Sequence, residues 1–309
     1  MRKILKITLA VLLGLAMLTG CGDASATLSD KKSALITVGK TSVTKEQVYD
    51  HMVTADAAKT VILQATASVL DAEVETTDAM KTAAQAKVDS YKKQFGDNFT
   101  TYLQYLGYST EQDLYDASLN DERASALIDK YITDNWDSLV TKYTPIMAKL
   151  MYFEASSYSS TEAAYQAAGK ALDEVKAGAD FATTAAKYKS SSTLAAEQLY
   201  TRETESLDYN VLQFMTTATT PTLSTVIANE AVDGYYIVQI TSVNIEQYKS
   251  NFVSYLKGLT DMSNTVNAFY FTKHNFTIYD ITTYNLVKSN YAAYLVQKTG
   301  PKTTSTSSN

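Results

Sequence analysis

The chain has 309 residues and a formal net charge of −6, with one cysteine, two histidines, three prolines and 11 glycines. These counts exclude a disulfide framework, a thiolate or histidine-rich metal centre, a cysteine nucleophile and a turn-rich β fold. The acidic balance leaves no basic stripe for phosphates, so a nucleic-acid partner is not expected.

Residues 1–20 read as a signal peptide. Arg2, Lys3 and Lys6 form a short positive region, and Ile7 to Leu18 is an almost unbroken apolar run. That run is too short to span about 30 Å of hydrocarbon. Leu18-Thr19-Gly20-Cys21 follows at once, a lipobox in which Cys21 is lipidated and becomes the new N-terminus. A lipobox implies a bacterial source, with a single-membrane, Gram-positive cell preferred. Loss of the three basic residues takes the mature charge from −6 to −9. Residues 21–34 are small and polar and read as a tether.

Leu35 to Lys40 is a short strand and turn. Thr44 then starts a helix running to about Leu70, with Gln47 completing a capping box. A second helix is expected over Asp78 to Phe95 and a third over Asn98 to Leu106, which Gly107 breaks. Ser109 with Gln112 caps a fourth, from Thr110 to about Leu119, and a fifth covers Asp121 to Tyr143. At Pro145 the pattern changes. Met147 to Phe153 is apolar strand, Thr161 to Ala177 is helix stopped by Gly178, and Phe181 to Tyr188 is a shorter helix. Residues 189–206 read as loop, Tyr209 to Thr217 as helix, and Gly234 to Ile240 as the clearest strand in the chain. Helix returns from Glu246 to about Lys273 and again from Ile281 to Val296. The Thr/Ser/Lys tail, 299–309, has nothing to bury and reads as disordered.

The expected class is therefore α+β and mainly helical. Two helical segments, 35–143 and 244–298, flank an α+β module at 144–243. A helical domain split in this way needs its halves to meet in space.

Four segments carry a family resemblance. Ala34 to Tyr49 is similar to the opening strand, turn and capped helix of the PrsA-type extracytoplasmic foldases and the related SurA-like periplasmic chaperones. Leu106-Gly107-Tyr108-Ser109-Thr110-Glu111 resembles their internal glycine and capped-helix step. Ala171 to Tyr188, with Gly178-Ala179-Asp180-Phe181-Ala182, resembles the helix–Gly–Asp–Phe–Ala–helix segment of a parvulin domain, and Gly234 to Ile240 its last strand. The resemblance implies a peptidyl-prolyl isomerase scaffold, with two facing histidines beside an acid or cysteine. It also implies departures at each of those places. The first-strand histidine falls near Leu150, the last-strand histidine at Tyr236, and the acid or cysteine near Ser191. The Gly-Gly-Asp-Leu-Gly turn becomes Ala196-Glu197-Gln198-Leu199-Tyr200. A degenerate module with weak or no isomerase activity is the expectation, with no cofactor and no metal.

Other constellations are weaker. His51 reads as a surface residue on the first helix. His274 with Asp280 is an expected weak ion pair. Asp71, Glu73, Glu75 and Asp78 form an acidic junction. Neither a Gly-x-Ser-x-Gly elbow nor a phosphate loop is present. Chaperoning requires only exposed apolar and aromatic surface. The client-binding candidates are Tyr91, Phe95, Phe99, Tyr102, Tyr105 and Tyr108, alongside Tyr255, Phe269, Tyr270 and Phe271. The expected partners are unfolded secreted proteins and, through the lipid, a membrane; a homodimer is left open. The competing reading is a solute-binding lipoprotein of a transporter, which needs two α/β lobes.

Overall fold

The computed structural model describes residues 28–38, 41–229 and 232–301. The expected signal segment, Cys21 and the end of the tail lie outside the described residues. The chain divides into two compact units, one drawn from Met1–Asp129 and Thr260–Asn309, the other Lys130–Leu259. The second unit is wider than the 144–243 module read from the sequence. Both are mainly helical, and only the second carries a large antiparallel sheet, so the class is α+β. The two α/β lobes of a solute-binding protein do not occur among the described residues.

In the first unit, β1 (Ala34–Val38) pairs with β2 (Thr41–Thr44) as a hairpin. Thr44 ends the hairpin and caps α1 (Lys45–Met52). Its hydroxyl accepts from Gln47 N at 3.3 Å, and Gln47 Oε1 accepts from Thr44 N at 2.9 Å. One π turn (Val53–Ala57) carries the helix into α2 (Ala58–Glu73). Next come α3 (Asp78–Phe95), capped by Thr77, and α4 (Phe99–Tyr105).

The fourth and fifth expected helices are one, α5 (Glu111–Asp134). Asn120 and Asp121 do not break it, because Leu114, Ser118 and Leu127 bury the same helix on both sides of them. The break falls at Asn135, whose side-chain amide donates to Tyr131 O at 2.9 Å. Its cap is also one residue later than expected. Asp113 Oδ2 accepts from Thr110 N at 2.8 Å, while Thr110 Oγ1 accepts from Asp113 N at 3.1 Å.

The long C-terminal helix is divided instead. α11 (Lys249–Gly258) ends at Gly258, and α12 (Met262–Lys273) starts after a short break. Of the expected C-terminal segment, α11 belongs to the second unit, while α12 and α13 (Ile281–Asn290) both pack on α2. Glu73, at the end of α2, fastens this contact. Its largely buried carboxylate lies 2.6 Å from Lys273 Nζ and 2.8 Å from His274 Nε2. The expected His274–Asp280 pair is thus replaced, since Asp280 caps α13 by accepting from Thr283 N at 2.7 Å. The acidic junction is likewise dispersed: Asp71 pairs with Arg123 and Asp78 with Lys81.

The hydrogen bond from Lys273 chiefly holds Glu73 below the usual carboxylate range, with the His274 bond adding to it against the opposing effect of burial. A depressed carboxylate stabilises the fold above its unfolded pKa, and that stability is lost as pH falls through the folded value. Glu73→Gln is expected to lower stability by about 1–3 kcal/mol at neutral pH, the range for removing a charged hydrogen-bond partner. The difference between variant and parent should start to shrink as the pH falls below the ordinary glutamate value of about 4.3 and vanish below the depressed folded value. Denaturant melts at several pH values check this, and a pH-independent difference would contradict the assignment.

The second unit begins in the last turn of α5 and continues through α6 (Trp136–Tyr143) into β3 (Ile146–Glu154). α7 (Thr161–Lys176) and α8 (Phe181–Lys187) follow, separated by Gly178 at φ +98°. The expected loop at 189–206 contains a short helix, α9 (Ser192–Ala195), and a strand, β4 (Gln198–Tyr200). Edge pairing to β3 imposes that strand, which local polarity does not announce. α10 (Tyr209–Thr217), β5 (Thr222–Leu223), β6 (Ile227–Asn229) and β7 (Gly234–Ser242) complete the unit. The sheet order is β4-β3-β7-β5, with β6 also on β7.

Period-two alternation gives the sheet two buried faces. Met151, Phe153 and Ile237 lie under α7 and α8, where Ala168 and Ala171 permit close approach. Ile146, Ala148, Leu150, Tyr236, Val238 and Ile240 lie under Val211 and Met215 of α10.

Candidate functional site

The α10-side face of the sheet holds two of the three positions singled out by the parvulin resemblance, Leu150 and Tyr236. Leu150 is fully buried there, opposite Val238. Tyr236 is also buried, but its partner across the ladder is Tyr152, two residues beyond Leu150 on the same face. The two tyrosine rings lie 4.5 Å apart at 30°. Ser191 is exposed, and its neighbour Ser190 is the residue that touches the sheet, accepting from Tyr152 N at 2.9 Å.

Leu150 and Tyr236 thus share one face of the sheet, and Ser191 does not join them. Tyr152 stacks on Tyr236, while Ser190 holds the Tyr152 backbone. The alternation of β3 could have found Tyr152, since residues 150 and 152 must share a face.

Tyr200, which stands at the last glycine of the resembling turn, closes the face from β4. It is buried in the same cluster, and its hydroxyl has no hydrogen-bond partner among the described residues. Burial, and secondarily Tyr152, Asp208 and Tyr200, push the Tyr236 hydroxyl up to about 12. It keeps its proton at neutral pH and offers no base. The face is a tyrosine and aliphatic surface, without an imidazole or thiol.

Gly234 positions Tyr152. A Cβ at Gly234 would lie 2.7 Å from the Tyr152 ring, so the ring rests directly on the glycine backbone. Gly234→Ala is expected to displace Tyr152 at a cost of about 1–3 kcal/mol, the usual scale of overpacking. In a Tyr152→Ala background the same change should cost almost nothing. A double-mutant cycle by urea denaturation measures this, and additive effects would refute the contact.

Tyr152 also borders a cavity of about 410 Å³, together with Glu154, Tyr158, Lys187, Lys189 and Ser191. Its wall is built by side-chain bonds. Tyr158 Oη donates to Tyr188 O at 3.0 Å, and Tyr188 Oη donates to Glu174 at 2.8 Å, which also pairs with Lys187 at 2.6 Å. This is an aromatic hollow with a polar rim. No group of three or more His, Cys, Asp and Glu residues placed to hold a metal occurs among the described residues.

In the first unit the aromatic candidates separate by burial. Phe99 is core, packed with Val88, Leu103 and Leu114. Tyr91, Phe95 and Tyr102 are half-buried and form a stack, with Phe95 and Tyr102 at 3.8 Å and Tyr91 and Tyr102 at 5.4 Å. Tyr108 is half-buried, and Tyr105 is 85% exposed, followed by exposed Leu106.

Of the C-terminal candidates, Tyr270 and Phe271 are core and Phe269 is partly exposed. Tyr255 belongs to the second unit, bonded to Thr201 Oγ1 at 3.0 Å. His51 is exposed.

A helical unit assembled from both ends of the chain, and a second unit built on an antiparallel sheet flanked by helices, define a two-unit α+β architecture. Among solved structures, peptidylprolyl isomerase (PrsA) from Bacillus cereus is similar at 16% identity, over 84% of this chain and 98% of that one, with a TM-score of 0.50. Foldase protein PrsA from Streptococcus pneumoniae matches at 18% identity over 82% and 98%, with a TM-score of 0.38. Foldase protein (PrsA) from Lactococcus lactis matches at 19% identity over 85% and 99%, with a TM-score of 0.33. No protein-family model and no curated protein matches the chain. The Bacillus cereus likeness defines the architecture: the chain has the PrsA-type fold.

Proposed function

We propose that this chain is a lipid-anchored extracytoplasmic foldase or chaperone for secreted proteins, with weak or no prolyl isomerase activity. The PrsA-type fold supports the foldase class. The lipobox ending at Cys21 supports an anchor at the outer face of the membrane, and a Gram-positive cell is the setting this implies. No helix among the described residues is long and apolar enough to cross a membrane.

One observation carries the loss of catalysis. The sheet face is filled by Leu150, Tyr152, Tyr200 and Tyr236, which leaves no imidazole or thiol beside it. Client binding falls to weak apolar contact at surfaces such as Tyr91, Phe95, Tyr102 and Tyr105. A net charge of −9 on the mature chain favours basic clients.

The test has two arms. In a protease-coupled assay on an Ala-Pro peptide, the chain should leave isomerisation at its uncatalysed rate, tens to hundreds of seconds. At several-fold molar excess it should suppress aggregation of an unfolded exported protein, and the Tyr102→Ser/Tyr105→Ser double variant should suppress less. Turnover like that of an active isomerase would overturn the first part, and no suppression would overturn the second.

A further inference from the structure

The β1–β2 hairpin is not absorbed by this function. Ile36 and Val43 face each other across it, and 57% of Ile36, 55% of Leu35 and 37% of Val43 are exposed. Three exposed aliphatic residues on a two-stranded ribbon are a surface that calls for a partner.

The chain before the hairpin is clipped to it. Lys45 Nζ donates to Ser29 O at 3.0 Å, Glu46 N donates to Lys31 O at 2.9 Å, and Lys31 pairs with Glu46 at 3.0 Å. Eight residues of sequence separate Cys21 from the clip at Ser29. Fully extended, eight residues reach about 29 Å. The segment 29–46 also carries Lys31, Lys32, Lys40 and Lys45 against Asp30 and Glu46, so it is basic within an acidic chain.

We propose that this hairpin is a second membrane contact, which lays Leu35, Ile36 and Val43 into the headgroup–acyl boundary of an anionic lipid surface beside the anchor. The proposal rests on the anchoring of Cys21. A short leash keeps the hairpin at high effective concentration near the bilayer, so that modest apolar burial is enough to hold it there. Apolar side chains flanked by lysines are the composition that binds the interfacial plane. The contact orients the first unit toward the membrane, while the acidic remainder is repelled from it.

The experiment uses residues 22–309 with Ile36→Cys as the only thiol, labelled with an environment-sensitive fluorophore. An N-terminal hexahistidine leashes the chain to nickel-chelating vesicles of phosphatidylglycerol and phosphatidylcholine in equal parts. The label at 36 should blue-shift and be quenched by nitroxide lipid, whereas a label at Tyr105→Cys should not. Leu35→Ser with Val43→Ser should abolish the quenching. A label at 36 that stays in water, quenching equal at both positions, or self-quenching between copies in place of lipid quenching would each overturn the proposal. The mass of the N-terminal peptide from cells reports the lipid on Cys21 separately. A chain without it overturns the anchoring reading, while the nickel-leashed vesicles still decide the hairpin.

Discussion

Replacing Leu150 by histidine is expected to destabilise the sheet unit by about 3–5 kcal/mol, without bringing isomerase activity. The change removes a fully buried leucine, whose burial is worth about 1.5–3 kcal/mol. It also buries an imidazole among Ile146, Ala148, Val211, Met215, Val238 and Ile240, whose side chains offer it no strong hydrogen-bond acceptor. An unpaired buried polar group costs a further 1–3 kcal/mol or so. Against a typical total of about 5–15 kcal/mol, this is a large share. Adding Tyr236→His does not rescue it, because Tyr236 faces Tyr152 and not residue 150. Denaturant midpoints and the Ala-Pro assay check both parts. A stable, active double variant would show that the parvulin site is intact apart from its histidines.

Phe252→Ala is expected to cost the same unit about 3–5 kcal/mol, the range for a buried phenylalanine. Phe252 is fully buried, edge-on to Trp136 at 5.6 Å and to Tyr143 at 6.1 Å, and stacked near Tyr255 at 6.2 Å. Lys249 covers the Trp136 ring at 4.7 Å, and Tyr248 Oη donates to Pro145 O at 2.7 Å. These contacts tie α11 to α6 and the start of β3, which is why the unit extends from 130 to 259. Trp136 is the only tryptophan, so its fluorescence follows this unit directly. A loss below about 1 kcal/mol would mean that α11 is peripheral, since surface changes stay within about 0.5 kcal/mol.

Much of the fold was legible before any coordinates. Thr44 and Gln47 announced α1, Asp78 to Phe95 was read to the residue, and Gly178 marked the break between α7 and α8. Each is a local signal, carried by a cap, an apolar period or a left-handed glycine within one or two turns of chain. The failures share the opposite property. Asn120 looked like a break, yet burial on both sides of it kept α5 whole. The strand Gln198–Tyr200 had no pattern of its own, because β3 imposes it.

The site divides in the same way. Leu150, Ser191 and Tyr236 were singled out from the sequence as the positions to inspect. Which side chains meet was not readable there. Ladder register set Tyr152 opposite Tyr236, and a close approach to Gly234 holds the ring there. Tyr200 joined them from β4, a strand whose place depends on pairing across the chain.

By itself the sequence determined the mainly helical α+β class, because composition and short-range spacing suffice for it. Tertiary structure alone decided the division at 129 and 259, the partner of Glu73 and the tyrosine filling of the sheet face. Those depend on contacts between residues far apart in the chain, which no local pattern encodes.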